Sequence, residues 1–398
     1  MKSWAPLLLL ASLPLFLLNI DFPGQPAGEE IHYVKAARSW IAVGADSNLE
    51  HPPLAKLIIA AGIKIFGDEP FGWRFFSALA GSLALTGMYF WGLALFSDRS
   101  AALWCTLFSG LNLMLWTEAH LATLEIYHTA FAIGGCAACT GIWFDQSERR
   151  TRRIFFAAVG GLLFGLAIAS KWFAIVAWLP CALGSLGLSL TRQKRRLKQS
   201  LTTTPVLLFL FALPLSVYTL TYAPYIAHQG WKRWLELQVM MWIDQTDAHV
   251  LASAQPLNWY LWPLNFYPQF LAYDLDPTQS IYRTLALLAN PIVIFGGALT
   301  ALLTLGKNRS PQTNVALLFP ALFFFVWAII PHKHQHYYYF FPAVMALSLP
   351  LAAPGRARKW LALASIVLFI YFFPVIKGFT ISTPMPWAWV YRSFSVSN

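Results

Sequence analysis

The feature that most limits this chain is a succession of apolar runs, each close to the length of a bilayer crossing, along nearly all of its 398 residues. A soluble core cannot bury that much apolar helix. Lipid must be the solvent, and each crossing must satisfy its own backbone hydrogen bonds as a helix. We read eleven spans, at roughly 4–20, 72–96, 101–117, 124–144, 154–170, 172–190, 204–222, 284–306, 315–331, 336–354 and 360–379. Composition agrees: 58% of residues are hydrophobic and 11% charged, against roughly 25% charged in a soluble domain. Many of the 18 Trp, 15 Tyr and 31 Phe sit at the ends of the runs, where interfacial anchors belong. The expected fold class is an all-α polytopic membrane protein, one transmembrane domain over 1–398 with no separate soluble domain.

Segment 53–66 (PLAKLIIAAGIKIF) is apolar but carries Lys56 and Lys64 within 14 residues. That length suits an interfacial helix better than a span. Charge decides the matter. With 53–66 left out, the basic loops 97–100, 145–153, 191–200, 307–310 and 355–359 fall on one side. Together with Lys2 they hold 16 of the 28 Lys and Arg residues, so that side is cytoplasmic. Counting 53–66 as a span would turn every later basic loop outward. The net charge of +11 therefore sets topology and gives no reason to expect nucleic acid. Lys2, the apolar stretch and PAG at 26–28 also fit a cleaved signal peptide; the acids from Asp21 onward favour a retained first span. Cys105, Cys136, Cys139 and Cys181 all lie within apolar runs and read as small buried hydrophobes.

Fourteen of the 17 acids fall on the other, external side. Two external loops are long, 21–71 and 223–283, the second with a candidate amphipathic helix at Trp231–Trp242. Long charged loops on one face of a bundle are where a site belongs. Glu29 and Glu30, just beyond the first span, could form a general base, a cation site or simply a solvated acid pair. His51 and Lys56 flank Pro-Pro and could face an anionic headgroup, or form an ordinary helix entry with a snorkelling lysine. Glu118, His120 and Glu125 mark a second external hairpin, with Glu125 at a helix start, where the dipole stabilises a carboxylate. Lys171 lies between two spans. His332, Lys333, His334 and His336 precede a run of tyrosines; they could bind a metal, or contact phosphate and sugar. A lipid phosphate entering from the outer leaflet would use this mixture of cations, carboxylates and aromatics.

In series these residues resemble the protein O-mannosyltransferase family. GEEIHYVKAA at 28–37, HPPLAKLIIAAGIKIFG at 51–67 and WR at 73–74 are similar to its acid pair, following His and HPPLGK stretch. AHLATLEI at 119–126 resembles its second acidic motif, with His120 where Arg is usual and Glu125 where Asp is usual. GLAIASKWFAIVAW at 165–178, HVLASAQPLNWYLWPL at 249–264 and KHQHYYYFFPAVMALSLPL at 333–351 continue the series in order. The resemblance implies a C-type glycosyltransferase fold and inverting transfer of a sugar, typically mannose, from a polyprenyl-phosphate donor on the external face. By position it implies Glu29 as base with Glu30 beside it, and Glu125 either supporting the acceptor side or organising the first loop. Lys333 and Lys171 would hold the donor phosphate, with His51, Lys56, His120 and His336 shaping the site. No metal or other cofactor is required, and bound metal at His332–His336 stays open. The expected partners are membrane lipids, the prenyl-phosphate sugar and a protein or glycolipid acceptor, in a bacterial inner membrane with the site facing the periplasm. An aminoarabinose-type transferase acting on a glycolipid is the nearest alternative, and a lipid transporter is the alternative of another class.

Overall fold

A computed structural model describes residues 5–145, 149–194, 203–246, 258–264, 269–276, 281–305, 310–330, 336–353, 355 and 357–381. These are mostly helical, with one antiparallel hairpin. After α1 (Ala5–Leu17) come two short helices, α2 (Glu30–Val43) and α3 (Leu54–Phe66), and then the long α4 (Pro70–Phe96). Three close-packed glycines make the α3–α4 turn. A Cβ on Gly62 would lie 2.3 Å from the Gly72 carbonyl oxygen, and one on Gly72 would lie 2.0 Å from that of Gly67. Gly67 itself has φ +100°, a conformation open to glycine at little cost. The apolar segment 53–66 is thus a short helix folded back on α4, as its length suggested.

The run 101–117 is not one helix. It divides into α5 (Arg99–Gly110) and α6 (Leu113–Glu118) at Asn112. The Asn112 side chain accepts the Met114 amide at 3.2 Å, and Trp116 Nε1 donates to the freed Gly110 carbonyl at 2.7 Å. An N-capping asparagine in an apolar run starts a new helix, and it turns α6 towards the loop layer. Next come α7 (Leu124–Phe144), α8 (Arg150–Ser170), a 3-10 turn at Trp172–Ala174, α9 (Ile175–Lys194) and α10 (Thr203–Thr221). Seventeen of the 21 residues of α7 are buried, so it is the central helix, packed between α4 and α8.

α11 (Ala223–Thr246) contains the helix expected at Trp231–Trp242 and extends it to both sides, with a break at Gly230. The expected span 284–306 begins too early. Residues 281–287 form a strand, β2 (Ile281–Leu287), paired with β1 (Gln269–Asp276), and the helix starts only at α12 (Pro291–Leu305). Leu285–Leu288 are apolar because the hairpin is buried: Leu271, Ala272 and Leu285 pack against Phe22, Ala27 and Leu121. An apolar strand of that length is indistinguishable by pattern from the start of a buried helix. α13 (Pro311–Ala328), α14 (Tyr337–Ala352) and α15 (Arg358–Ile376) complete the bundle. Among the described residues six helices, α4, α8, α9, α10, α13 and α15, are long and apolar enough to cross a membrane; α1, α12 and α14 are shorter apolar helices.

Candidate active site

Three chain turns bring the acidic positions together: the N-terminus of α2, the N-terminus of α7 and the break between α8 and α9. The two adjacent glutamates do not act as a pair. Glu30 is fully buried, its carboxylate gripped by Arg74 through Nε (2.8 Å) and a terminal nitrogen (2.7 Å). It also accepts the amides of Ala27 (3.2 Å) and Ala122 (2.9 Å). Arg74 donates in addition to the carbonyls of Ile20, Pro23 and Gln25. Glu29 is half-buried. Burial, and then the charge of Glu125, raise its carboxyl above the ordinary range, with Lys171 and His32 acting the other way. A half-buried carboxyl raised in this way has the character of a base.

Glu125 sits in the first turn of α7, 2% exposed, and forms an ion pair with Lys171. Lys171 is extended (φ −160°, ψ 134°) where α8 ends, so its ammonium reaches sideways. It lies 4.5 Å from the ring centre of Tyr339 and 5.2 Å from that of Tyr338, a cation–π contact. Glu118 lies near these groups, buried, and accepts the Thr123 hydroxyl at 2.7 Å. A cavity of about 190 Å³ opens beside Lys171, walled by Glu50, His51, Trp172, Trp242, Trp327 and Tyr339. His51 also borders a second cavity of about 240 Å³, with Trp40, Asp46, Tyr222, Tyr225 and His228. The His51 ring stands edge-on to Tyr33 at 6.2 Å.

The other expected residues fall elsewhere. Lys56 is fully buried and points into its own loop, paired with Asp46 at 2.6 Å and donating to the carbonyls of Asn48 and His51. Burial lowers its pKa, and Asp46 opposes the fall. His120 is also fully buried, bridging the Phe22 carbonyl (2.5 Å) and Lys377 (2.7 Å). His336 stacks on Tyr338 at 5.0 Å. His332, Lys333 and His334, with 249–257 of the aromatic stretch, lie outside the described residues. Among the described residues no three His, Cys, Asp or Glu side chains group as metal ligands.

Sequence reasoning passed over Arg74 and Lys377. Arg74 had a usable signal: an arginine inside an apolar span demands a buried partner. Lys377 lies inside the last expected span, 360–379, and drew no reading of its own.

Known proteins resemble the chain in sequence and in fold. Residues 50–222 match the family model for dolichyl-phosphate-mannose-protein mannosyltransferase. A polyprenol-phosphate-mannose–protein mannosyltransferase of Mycobacterium tuberculosis is 27% identical over 264 residues, 56% of this chain. The chain spans only 48% of that relative's length. The Saccharomyces cerevisiae protein O-mannosyltransferase Pmt1-Pmt2 complex, bound to the sugar donor, superposes with a TM-score of 0.70 at 12% identity, covering 95% of this chain and 91% of that one. ArnT from Cupriavidus metallidurans, bound to undecaprenyl phosphate, gives 0.59 at 16% identity, covering 92% and 63%. The chain is thus similar over residues 50–222 to the dolichyl-phosphate-mannose-protein mannosyltransferase family model, and it shares the fold of these two solved membrane proteins.

Proposed function

We propose that this chain is a membrane glycosyltransferase that moves a sugar, mannose by the family it resembles, from a polyprenyl-phosphate donor to an acceptor hydroxyl. The observation that carries this reading is the convergence of Glu29 and Glu125 on Lys171, whose side chain lines an aromatic-walled cavity. Glu29 takes the proton of the acceptor hydroxyl as that oxygen attacks the anomeric carbon. The lipid phosphate leaves from the opposite face, so the sugar inverts. Phosphate departs as a stabilised anion, so a nearby cation can serve in place of a general acid. Lys171, oriented by Glu125, is that cation, and Lys333 is a second candidate by the sequence resemblance alone. Tyr339, Trp172, Trp242 and Trp327 supply faces for sugar and prenyl carbons. Glu30, Lys56 and His120 hold the loops and do not touch substrate. No metal is needed for any of these steps.

The chain crosses the membrane eleven times in this reading, with the site on the non-cytoplasmic face of a bacterial inner membrane. The relatives named as acting on protein favour a Ser or Thr hydroxyl as acceptor. The test is incubation of purified protein with labelled polyprenyl-phosphate mannose and either membrane protein or glycolipid, followed by analysis of the labelled product. Glu29→Gln should lower transfer by at least 100-fold while donor binding stays within about threefold, the scale expected for loss of a general base. Near-normal turnover in that variant would sink the assignment.

A further inference from the structure

Lys377 caps the C-terminal end of α15 and is fully buried, a long way in sequence from the acidic loop. Its ammonium donates to the Phe16 carbonyl at 2.9 Å and to Nδ1 of His120 at 2.7 Å. Among the described residues no carboxylate lies within ion-pair distance of it. The Phe22 carbonyl can only accept, so the His120 ring proton sits on Nε2 and Nδ1 accepts from Lys377. That proton points at the Phe22 carbonyl, 2.5 Å away. The backbone around Lys377 belongs to the same junction. Asn19 Nδ2 donates to the carbonyls of Lys377 (2.7 Å) and Gly378 (2.9 Å), and Arg283 Nε also donates to Gly378 (3.2 Å). The Arg283 guanidinium lies 4.0 Å from the centre of the Phe22 ring. Gly378 has φ +63°, and a Cβ there would lie 2.1 Å from that ring.

Arg74 already holds the carbonyls of residues 20, 23 and 25. With His120 on residue 22, four backbone oxygens of the turn that leads to Glu29 are held by buried donors. We propose that Lys377 is a positioning residue of the Glu29 site: through His120 it fixes the Phe22 carbonyl, and with it the turn from which Glu29 is presented. The last helix thereby sets the geometry of the first loop. This inference rests on the reading of Glu29 as base, and its test is arranged to separate the two.

The first measurement needs no activity. Hydrogen exchange is followed at the amides of residues 27–32 in wild type, Lys377→Met and Lys377→Arg. A fixing role predicts at least tenfold faster exchange in Lys377→Met, with protection partly restored in Lys377→Arg; equal exchange in all three overturns the proposal. The second is transfer kinetics. In Lys377→Met, kcat should fall at least tenfold while the donor KM stays within twofold. The acid limb of the pH profile should move towards the ordinary carboxylate range, because a loosened turn lets water reach Glu29. A uniform loss of activity with an unmoved acid limb would mean that Lys377 only stabilises the fold, and would also overturn it. Should Lys377→Met fail to give folded protein, His120→Gln replaces it in both measurements with the same expectations. Wild-type protein that transfers no sugar would refute the reading of Glu29 as base, and the exchange data would still decide the role of Lys377.

Discussion

Replacing Arg74 by methionine tests the assembly of the acidic loop more severely than any other single change. The side chain is fully buried and makes five hydrogen bonds, two to the Glu30 carboxylate and three to backbone carbonyls. Methionine fills much of the same space but returns none of them. Glu30 would be left as a buried carboxylate with only the Ala27 and Ala122 amides for company. Breaking one side of a buried ion pair costs about 3–5 kcal/mol, and each orphaned carbonyl adds about 1–3 kcal/mol where water cannot reach it. With one or two carbonyls rehydrated, the total comes to about 6 kcal/mol, against a typical folding stability of about 5–15 kcal/mol. Glu30→Gln should cost less, about 2 kcal/mol, because the amide keeps part of the network and Arg74 retains its carbonyls. The double variant then decides between mechanisms. Where the charges see each other, Arg74→Met with Glu30→Gln should be milder than the sum of the singles by about 2–3 kcal/mol, since no uncompensated carboxylate remains. The assay is thermal loss of the monodisperse detergent-solubilised protein. An additive cycle, or an Arg74→Met midpoint within about 1 °C of wild type, would refute the reasoning.

The raised carboxyl of Glu29 sets the pH behaviour. In the proposed role of base Glu29 works only when ionised, so transfer should rise with pH through a midpoint above the ordinary value of 4.5, measured as kcat against pH. The same shift means the folded protein holds this proton more tightly than the unfolded chain, so Glu29 lowers stability as pH rises through its raised value. Glu29→Gln should remove that component of a pH–stability curve. Lys171→Met takes away the charge that lowers the Glu29 pKa and leaves Glu125 unpaired. The acid limb should then move to higher pH and donor affinity should fall at least tenfold; an unmoved limb would separate Lys171 from Glu29. Gly72→Leu forces a side chain against the Gly67 carbonyl and should open the α3–α4 turn, costing more than about 3 kcal/mol in the thermal assay.

The bundle was legible because lipid leaves only helices to choose from, and the short length of 53–66 was enough to keep it out of the spans. Two elements were not legible, for local reasons. Asn112 breaks an apolar run through one side-chain hydrogen bond, which hydropathy does not register. Leu285–Leu288 are apolar because a strand is buried under the Phe22 turn, and four such residues carry no period that separates strand from helix. For several of the expected site residues, the direction of the side chain was not legible. Lys56 and His120 stand in sequence as exposed loop cations, yet their partners Asp46 and Lys377 turn both inward. Partners at 257 residues' separation, as for His120 and Lys377, leave no trace in spacing.

The two glutamates show how one backbone fact divides the labour. Successive residues on a helix diverge by about 100°, so Glu29 and Glu30 at the start of α2 cannot face the same way. Once Glu30 is drawn into the interior by Arg74, Glu29 is turned towards the side occupied by Glu125 and Lys171, whose charges act on it. The buried pair is a weak source of stability, since desolvation offsets most of its attraction, but it fixes rotation about the α2 axis. A base needs that fixed orientation more than it needs extra stability, because a displacement of about 1 Å costs on the order of a hundredfold in rate. Glu30→Gln should therefore lower kcat by far more than its modest effect on stability would suggest, through a residue that never meets the substrate. If kcat in Glu30→Gln stays within about twofold of wild type, orientation by this pair is not what prepares Glu29.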